Sequence, residues 1–156
     1  IEGHLSSMEA HDNESLERHK AMGTPAIEKV KVRFDASLAA AREYLLPDGQ
    51  VYRPRAGLLF IESYRELPLL AWPRTLIDSI VELEQQLLLF RHHHARMVER
   101  MIGRRVGTGG SSGVDYLDST TKARIFTDLW QVRSILVKRE SLDDVKDSGF
   151  YGFTSE

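Results

Sequence analysis

Residues 73–104 read PRTLIDSIVELEQQLLLFRHHHARMVERMIGR. Within them Leu76, Ile80, Leu83, Leu87, Phe90, His94, Met97 or Val98, and Met101 recur at steps of three and four residues, the spacing of a single helix face. The stretch is therefore predicted as one long helix with this stripe buried. Upstream, Pro25 suits a first helical position, and Ile27, Val30, Phe34, Leu38 and Ala41 predict an amphipathic helix ending near Leu46. Pro47-Asp48-Gly49-Gln50 is a turn signal. Arg53-Pro54-Arg55 reads as irregular, and the apolar residues 58–70 as a short helix. Residues 8–22 are polar and predict a short solvated helix stopped at Gly23-Thr24-Pro25. Downstream of the long helix, Ile125, Leu129, Val132 and Leu136, with Phe126 and Trp130 beside them, predict a further buried helix. No alternating strand pattern and no internal repeat occurs. The expected fold is all-α: a helical bundle around a long central helix. It forms one domain over residues 1–156, with a polar N-terminal segment at 1–24 and an irregular tail at 143–156.

Composition narrows the function classes. A chain of 156 residues can bury one core. Its formal net charge of −2, with 42% hydrophobic and 28% charged residues, indicates neither a basic nucleic-acid surface nor an acidic disordered segment. There is no cysteine, so disulfides, zinc–thiolate and iron–sulfur sites are excluded, and any metal must rest on His or carboxylates. No apolar run approaches the ~20 residues that span a bilayer, and residues 1–10 lack the zones of a signal peptide. The expectation is a cytoplasmic protein with no membrane and no nucleic-acid partner.

His92, His93 and His94 are consecutive, and successive helix residues point about 100° apart, so they cannot all face one ligand. Of the three, His94 falls in the middle of the apolar stripe, four residues after Phe90 and seven before Met101. A lone imidazole among Leu, Phe and Met meets the needs of a single axial bond to a haem iron. It equally fits the commoner fate of a buried helix histidine, a hydrogen-bonded core residue. Periodicity leaves both open. Arg91, Arg96, Glu99 and Arg100 read first as solvated or ion-paired flanks, with propionate pairing as the lesser alternative. Trp72, Trp130 and Tyr116 read as packing aromatics.

After the long helix comes Gly107-Thr108-Gly109-Gly110-Ser111-Ser112-Gly113. Its glycines permit conformations that aim several N–H groups at one point, and Ser111 or Ser112 can cap the next helix. Such a loop suits a carboxylate, from a haem propionate or an amino-acid substrate, although a Gly/Ser stretch between helices is more often a plain connector. The Gly-Lys-Ser/Thr ending of a phosphate loop is absent.

Three segments taken together resemble one family. Residues 83–103, with Phe90-Arg91-His92-His93-His94-Ala95-Arg96-Met97-Val98-Glu99-Arg100-Met101-Ile102-Gly103, are followed by Gly107 to Leu117 and then by Phe126-Thr127-Asp128-Leu129-Trp130-Gln131-Val132-Arg133. In order and spacing this is similar to the C-terminal part of tryptophan 2,3-dioxygenases, over roughly residues 74–136, about two-fifths of the chain. The resemblance implies that His94 binds the iron of haem b from the proximal side. It implies also that Gly107 and Thr108 lie near the amino and carboxylate groups of the substrate. The family's distal His-Gln-Thr-like motif and its carboxylate-gripping Phe-Arg motif are not recognisable here. No role carries over to His4, His11 or His19, no clamp is assigned to Arg53, Arg55 or Arg65, and no catalytic residue is assigned.

The implied activity is a haem-dependent dioxygenase acting on O2 and the indole ring of L-tryptophan, or a related aromatic amino-acid-like compound, with an N-formylkynurenine-type product. Alternatives are a haem oxygenase or hydroxylase of another aromatic substrate, a non-catalytic haem-binding module, and a plain helical interaction domain. A homo-oligomer, or a second chain supplying the missing distal half, is expected to complete the pocket.

Overall fold

The structure is a computed structural model that describes residues 1–23, 26–105 and 112–154. Among them are seven α-helices and no strand, so the all-α expectation holds. The chain divides into two compact units: one is Ile1–Arg74 with Asp128–Glu156, the other Thr75–Thr127.

The first unit is built on α1 (Glu2–Ala21) and α2 (Ile27–Leu45), which pack on each other, and on α3 (Arg53–Ser63). On α2 the apolar stripe is covered as its periodicity requires: Ala41, Tyr44 and Leu45 are buried, and Ile27, Val30, Phe34 and Leu38 are half-buried. The core joins Leu5 and Met8 of α1, Ala41, Tyr44 and Leu45 of α2, Leu59 of α3, and Val132 with Ile135. α1 is thus longer than its polar character predicts and only partly solvated. Leu5 and Met8, three residues apart, give its N-terminal half an apolar edge worth burying. The buried His4 Nε2 lies 2.7 Å from the Ile135 carbonyl and donates to it, which satisfies two polar groups that would otherwise be costly to bury.

Between α2 and α3 the chain turns at Pro47–Gly49, where Asp48 (φ 56°) and Gly49 (φ 74°) take left-handed backbone, the conformation short polar and glycine residues tolerate best. Arg53-Pro54-Arg55 is not irregular but forms the first turn of α3, where proline's fixed φ and missing N–H are harmless. Residues 68–70 form a separate single turn. Pro25 lies outside the described residues.

The predicted helix across residues 125–136 is broken. α6 (Thr127–Gln131) and one 3-10 turn (Val132–Ser134) replace it, and Ile125 is exposed while Val132 and Ile135 are buried. Ile125 and Phe126 spend their N–H groups on the Glu84 carboxylate, not on a helix ladder, so the regular spacing of apolar residues spans two different local structures. In the tail, α7 (Ser148–Gly152) supplies one short helix.

The second unit holds most of α4 (Ala71–Ile102) and α5 (Val114–Thr120). At 32 residues α4 is the longest element. It ends where Gly103 adopts φ 66° and its N–H returns to the Glu99 carbonyl at 2.8 Å, the conformation that favours glycine just past a helix. α5 starts from Gly113 (φ 62°), not from a serine cap. Ser112 is exposed, and Ser111 lies outside the described residues.

Candidate haem-ligating face of α4

α4 carries two distinct faces. Ile77, Glu84 and Ala95 are buried, and Val81, Leu88 and Arg91 beside them are half-buried. This face holds the chain that runs through α5 to residue 126. Glu84, 1% exposed, accepts hydrogen bonds from the N–H of Ile125 and, at 3.2 Å, of Phe126. Arg91 Nη1 donates to the carbonyls of Thr120 at 3.3 Å and Ala123 at 3.1 Å. Arg96 pairs with Glu99 and with Asp118 of α5. Arg104 reaches Glu99 at 2.9 Å and Asp115 at 2.8 Å. The Arg96 hydrogen bond holds the Asp118 carboxyl below its usual range. Arg91, Arg96 and Glu99 are therefore paired flanks, as their sequence positions suggested.

The apolar stripe lies elsewhere. From 3.6 residues per turn, Leu76, Ile80, Leu83, Leu87, Phe90, His94, Met97 and Met101 centre roughly 90° around the helix from the buried face. The expected burial fails for most of them: Leu83 is 55%, Phe90 64% and Met101 76% exposed, Leu76 and Met97 are also exposed, and Ile80, Leu87 and His94 are half-buried. The period of an amphipathic helix reveals which side is apolar but not whether the same chain covers it. Trp72 and Tyr116, expected to pack, are exposed as well.

His94 sits on this open stripe, half-buried, its ring 5.8 Å from that of Phe90. Among the described residues its ring nitrogens have no hydrogen-bond partner. Half-burial without such a partner does not match a hydrogen-bonded core histidine. An imidazole nitrogen on an apolar surface is of the chemical kind that can hold a haem iron. His92 and His93 are exposed, with ring centroids 6.3 Å apart, and they diverge from His94 as helix geometry demands. A cleft of about 460 Å³ opens along the same stretch of helix, lined by His93, Arg96, Met97, Arg100 and Met101. Gly107 and Thr108, the residues expected at the amino-acid end of the substrate, lie outside the described residues.

Two arginines of the first unit are engaged within that unit. Arg55 is paired with Asp128 at 3.1 Å, donates to the Tyr44 carbonyl and lies over the Tyr44 and Tyr52 rings. Burial, with Asp128 nearby, pushes the Tyr44 hydroxyl up to about 12, so this phenol stays protonated and donates to the Asp128 carbonyl at 3.0 Å. Arg65 is held by Glu62.

Sequence reasoning missed Glu84, Asp115 and Asp118, which fasten the chain after the glycine loop. The detectable signal was the spacing of Ile77, Glu84 and Arg91, seven residues apart each time, which puts an acid and a base on one line of the helix.

Comparison with known proteins agrees with the three-segment signature and extends it. The tryptophan 2,3-dioxygenase family model matches residues 2–136. A tryptophan 2,3-dioxygenase-like protein of Xanthomonas campestris is 46% identical over 167 aligned residues, covering 100% of this chain and 62% of the relative. A tryptophan 2,3-dioxygenase of Sorangium cellulosum is 48% identical over 88% of the chain and 36% of its own length. One from Xenopus laevis is 39% identical over 82% of the chain and 32% of its own length. The chain thus spans at most 62% of the length of these relatives. The match runs through α1, α2 and α3 as well as the histidine helix, and the chain belongs to the tryptophan 2,3-dioxygenase family.

Proposed function

We propose that this chain forms the proximal, haem-holding part of a dioxygenase that inserts both atoms of O2 into the indole ring of L-tryptophan or a related aromatic compound. The observation that carries the proposal is His94: an imidazole without a hydrogen-bond partner among the described residues, on a helix face where Leu83, Phe90, Met97 and Met101 are exposed. Family membership supports the reaction class.

Bound haem supplies the redox chemistry that lets dioxygen react with an aromatic ring. His94 would hold the haem iron through a ring nitrogen. Leu87, Phe90 and Met97 flank it on the same face and would exclude water from a bound haem. The Gly107 backbone and Thr108 hydroxyl orient the ammonium and carboxylate of the substrate, so that the indole, not the polar end, meets the reacting centre. The stoichiometry needs no external reductant: the C2–C3 bond breaks, each carbon gains one oxygen, and the product is of the N-formylkynurenine type. The remaining wall of the pocket belongs to the length of the relatives that this chain does not span, or to a neighbouring subunit.

Haem reconstitution read by the Soret band tests the proposal, with the wild-type chain compared with His94→Ala and L-tryptophan then added to the ferrous protein. A His94-dependent band and a product heavier than tryptophan by two oxygen atoms are expected. A His94-dependent band without product moves the assignment to another aromatic substrate or a haem-binding module. No band sinks it.

A further inference from the structure

The cleft beside His94 has a chemical character of its own. Its floor is thioether, from Met97 and Met101, and its wall carries the guanidinium groups of Arg96 and Arg100 with the imidazole of His93. Acidic side chains are close in sequence, yet they are already used: Glu99 engages Arg96 through one oxygen and Arg104 through the other, and Asp118 engages Arg96. Among the described residues no carboxylate lies within ion-pair distance of Arg100 or His93. A cationic wall over an apolar floor, with its local anions diverted, is complementary to a ligand that is apolar in body and carboxylate at its edge.

Arg100 is six residues beyond His94, about 9 Å along the helix axis, and His93 is its neighbour on the same side by the helical repeat. A macrocycle seated on the His94 nitrogen and lying along Met97 and Met101 would bring its acidic edge to this wall. We infer that Arg100, with His93 beside it, anchors a haem propionate, while Arg96 serves structure by tying α4 to α5. The inference rests on the proposed haem-binding role of His94 and names the residue that would meet the carboxylate edge of that haem. It also separates the three arginines that the sequence leaves equivalent. Arg91 is spent on backbone carbonyls, Arg96 on carboxylates, and Arg100 faces the cleft.

Titration of the whole 156-residue chain with ferric haem and, separately, with haem dimethyl ester, whose carboxylates are capped, tests the assignment through the Soret band. Wild-type protein is expected to bind haem about tenfold more tightly than the ester, the scale of one charge-assisted hydrogen bond at a partly solvated site. Arg100→Ala is expected to abolish that preference by weakening haem alone, and Arg100→Lys to restore part of it. Far-ultraviolet circular dichroism should show unchanged helicity, since Arg100 is exposed. Equal loss for haem and ester in Arg100→Ala, or no loss for either, overturns the propionate anchor while leaving the axial role of His94 intact. If the wild-type chain shows no His94-dependent band, the haem reading itself fails and the anchor falls with it.

Discussion

α2 in the first unit and α4 in the second carry apolar stripes of the same spacing, but the chain treats them in opposite ways. The stripe on α2 runs into a core where Ala41 and Leu45 are fully buried against α1 and α3. On α4 the corresponding stripe stands open, and the helix is held instead by polar ties on a face a quarter-turn away. The difference separates two uses of amphipathicity. One stripe stabilises the fold of this chain; the other is a large exposed apolar surface of the kind that marks a binding site. If so, equivalent substitutions on the two helices should have very different consequences.

The largest effect is expected in the first unit. Leu45→Ala removes a fully buried side chain from the cluster of Leu5, Met8, Tyr44 and Val132, and should lower unfolding stability by about 2–5 kcal/mol. Urea denaturation followed by circular dichroism measures it. A loss below about 1 kcal/mol would mean that α2 is no better covered than α4, and the contrast would disappear.

Glu84 comes next, because the second unit depends on polar attachment. Glu84→Ala strips the acceptor from the N–H groups of Ile125 and Phe126 and should cost about 1–3 kcal/mol. Glu84→Gln keeps a carbonyl acceptor and should cost less. Hydrogen exchange would show faster exchange at Ile125 and Phe126 in Glu84→Ala, with residues of the first-unit core unaffected. Uniform acceleration across both units would contradict separate attachment.

Much of this arrangement was legible in the residues, and the failures share a cause. The 3.6-residue period placed α2 and α4 almost to their ends, and the conjunction of His94 with the glycine loop identified the family. The assumption that an apolar stripe is buried by its own chain failed at Leu83, Phe90 and Met101, since periodicity contains no information about the covering partner. Continuity failed across residues 125–136 for a related reason. Glu84, forty-one residues away from Ile125, captures the N–H groups that a helix would need, and nothing within residues 125–136 themselves signals that competition. His94 could be placed on the apolar stripe, but only three-dimensional structure showed that it is half-buried and has no hydrogen-bond partner among the described residues.

His4 offers a pH-dependent test confined to the first unit. Burial lowers its pKa below the ordinary 6.5, while its bond to the Ile135 carbonyl opposes the shift. The unfolded chain therefore takes up the proton first as pH falls. The stabilising contribution is present above 6.5 and is lost progressively as pH drops from there through the folded-state value. The melting temperature should fall between pH 7.5 and pH 5, and His4→Gln should flatten that dependence. An undiminished slope in His4→Gln would assign it to other groups.

The smallest expected change in stability is the most informative about α4. Leu83→Ser and Phe90→Ser alter side chains that are more than half exposed, so each should shift unfolding stability by no more than about 0.5 kcal/mol. Because Phe90 lies beside the imidazole of His94, Phe90→Ser should nevertheless bind haem more weakly, whereas Leu83, eleven residues and about 16 Å along the helix from His94, should leave haem binding nearly unchanged. Parallel denaturation and Soret titration of the two proteins separate the effects. A destabilisation of 2 kcal/mol or more, on the scale of a core truncation, would show that the chain covers this stripe after all, and α4 would join α2 as a structural helix. Unchanged stability with weakened haem binding would place the apolar face of α4 outside the fold and inside the site.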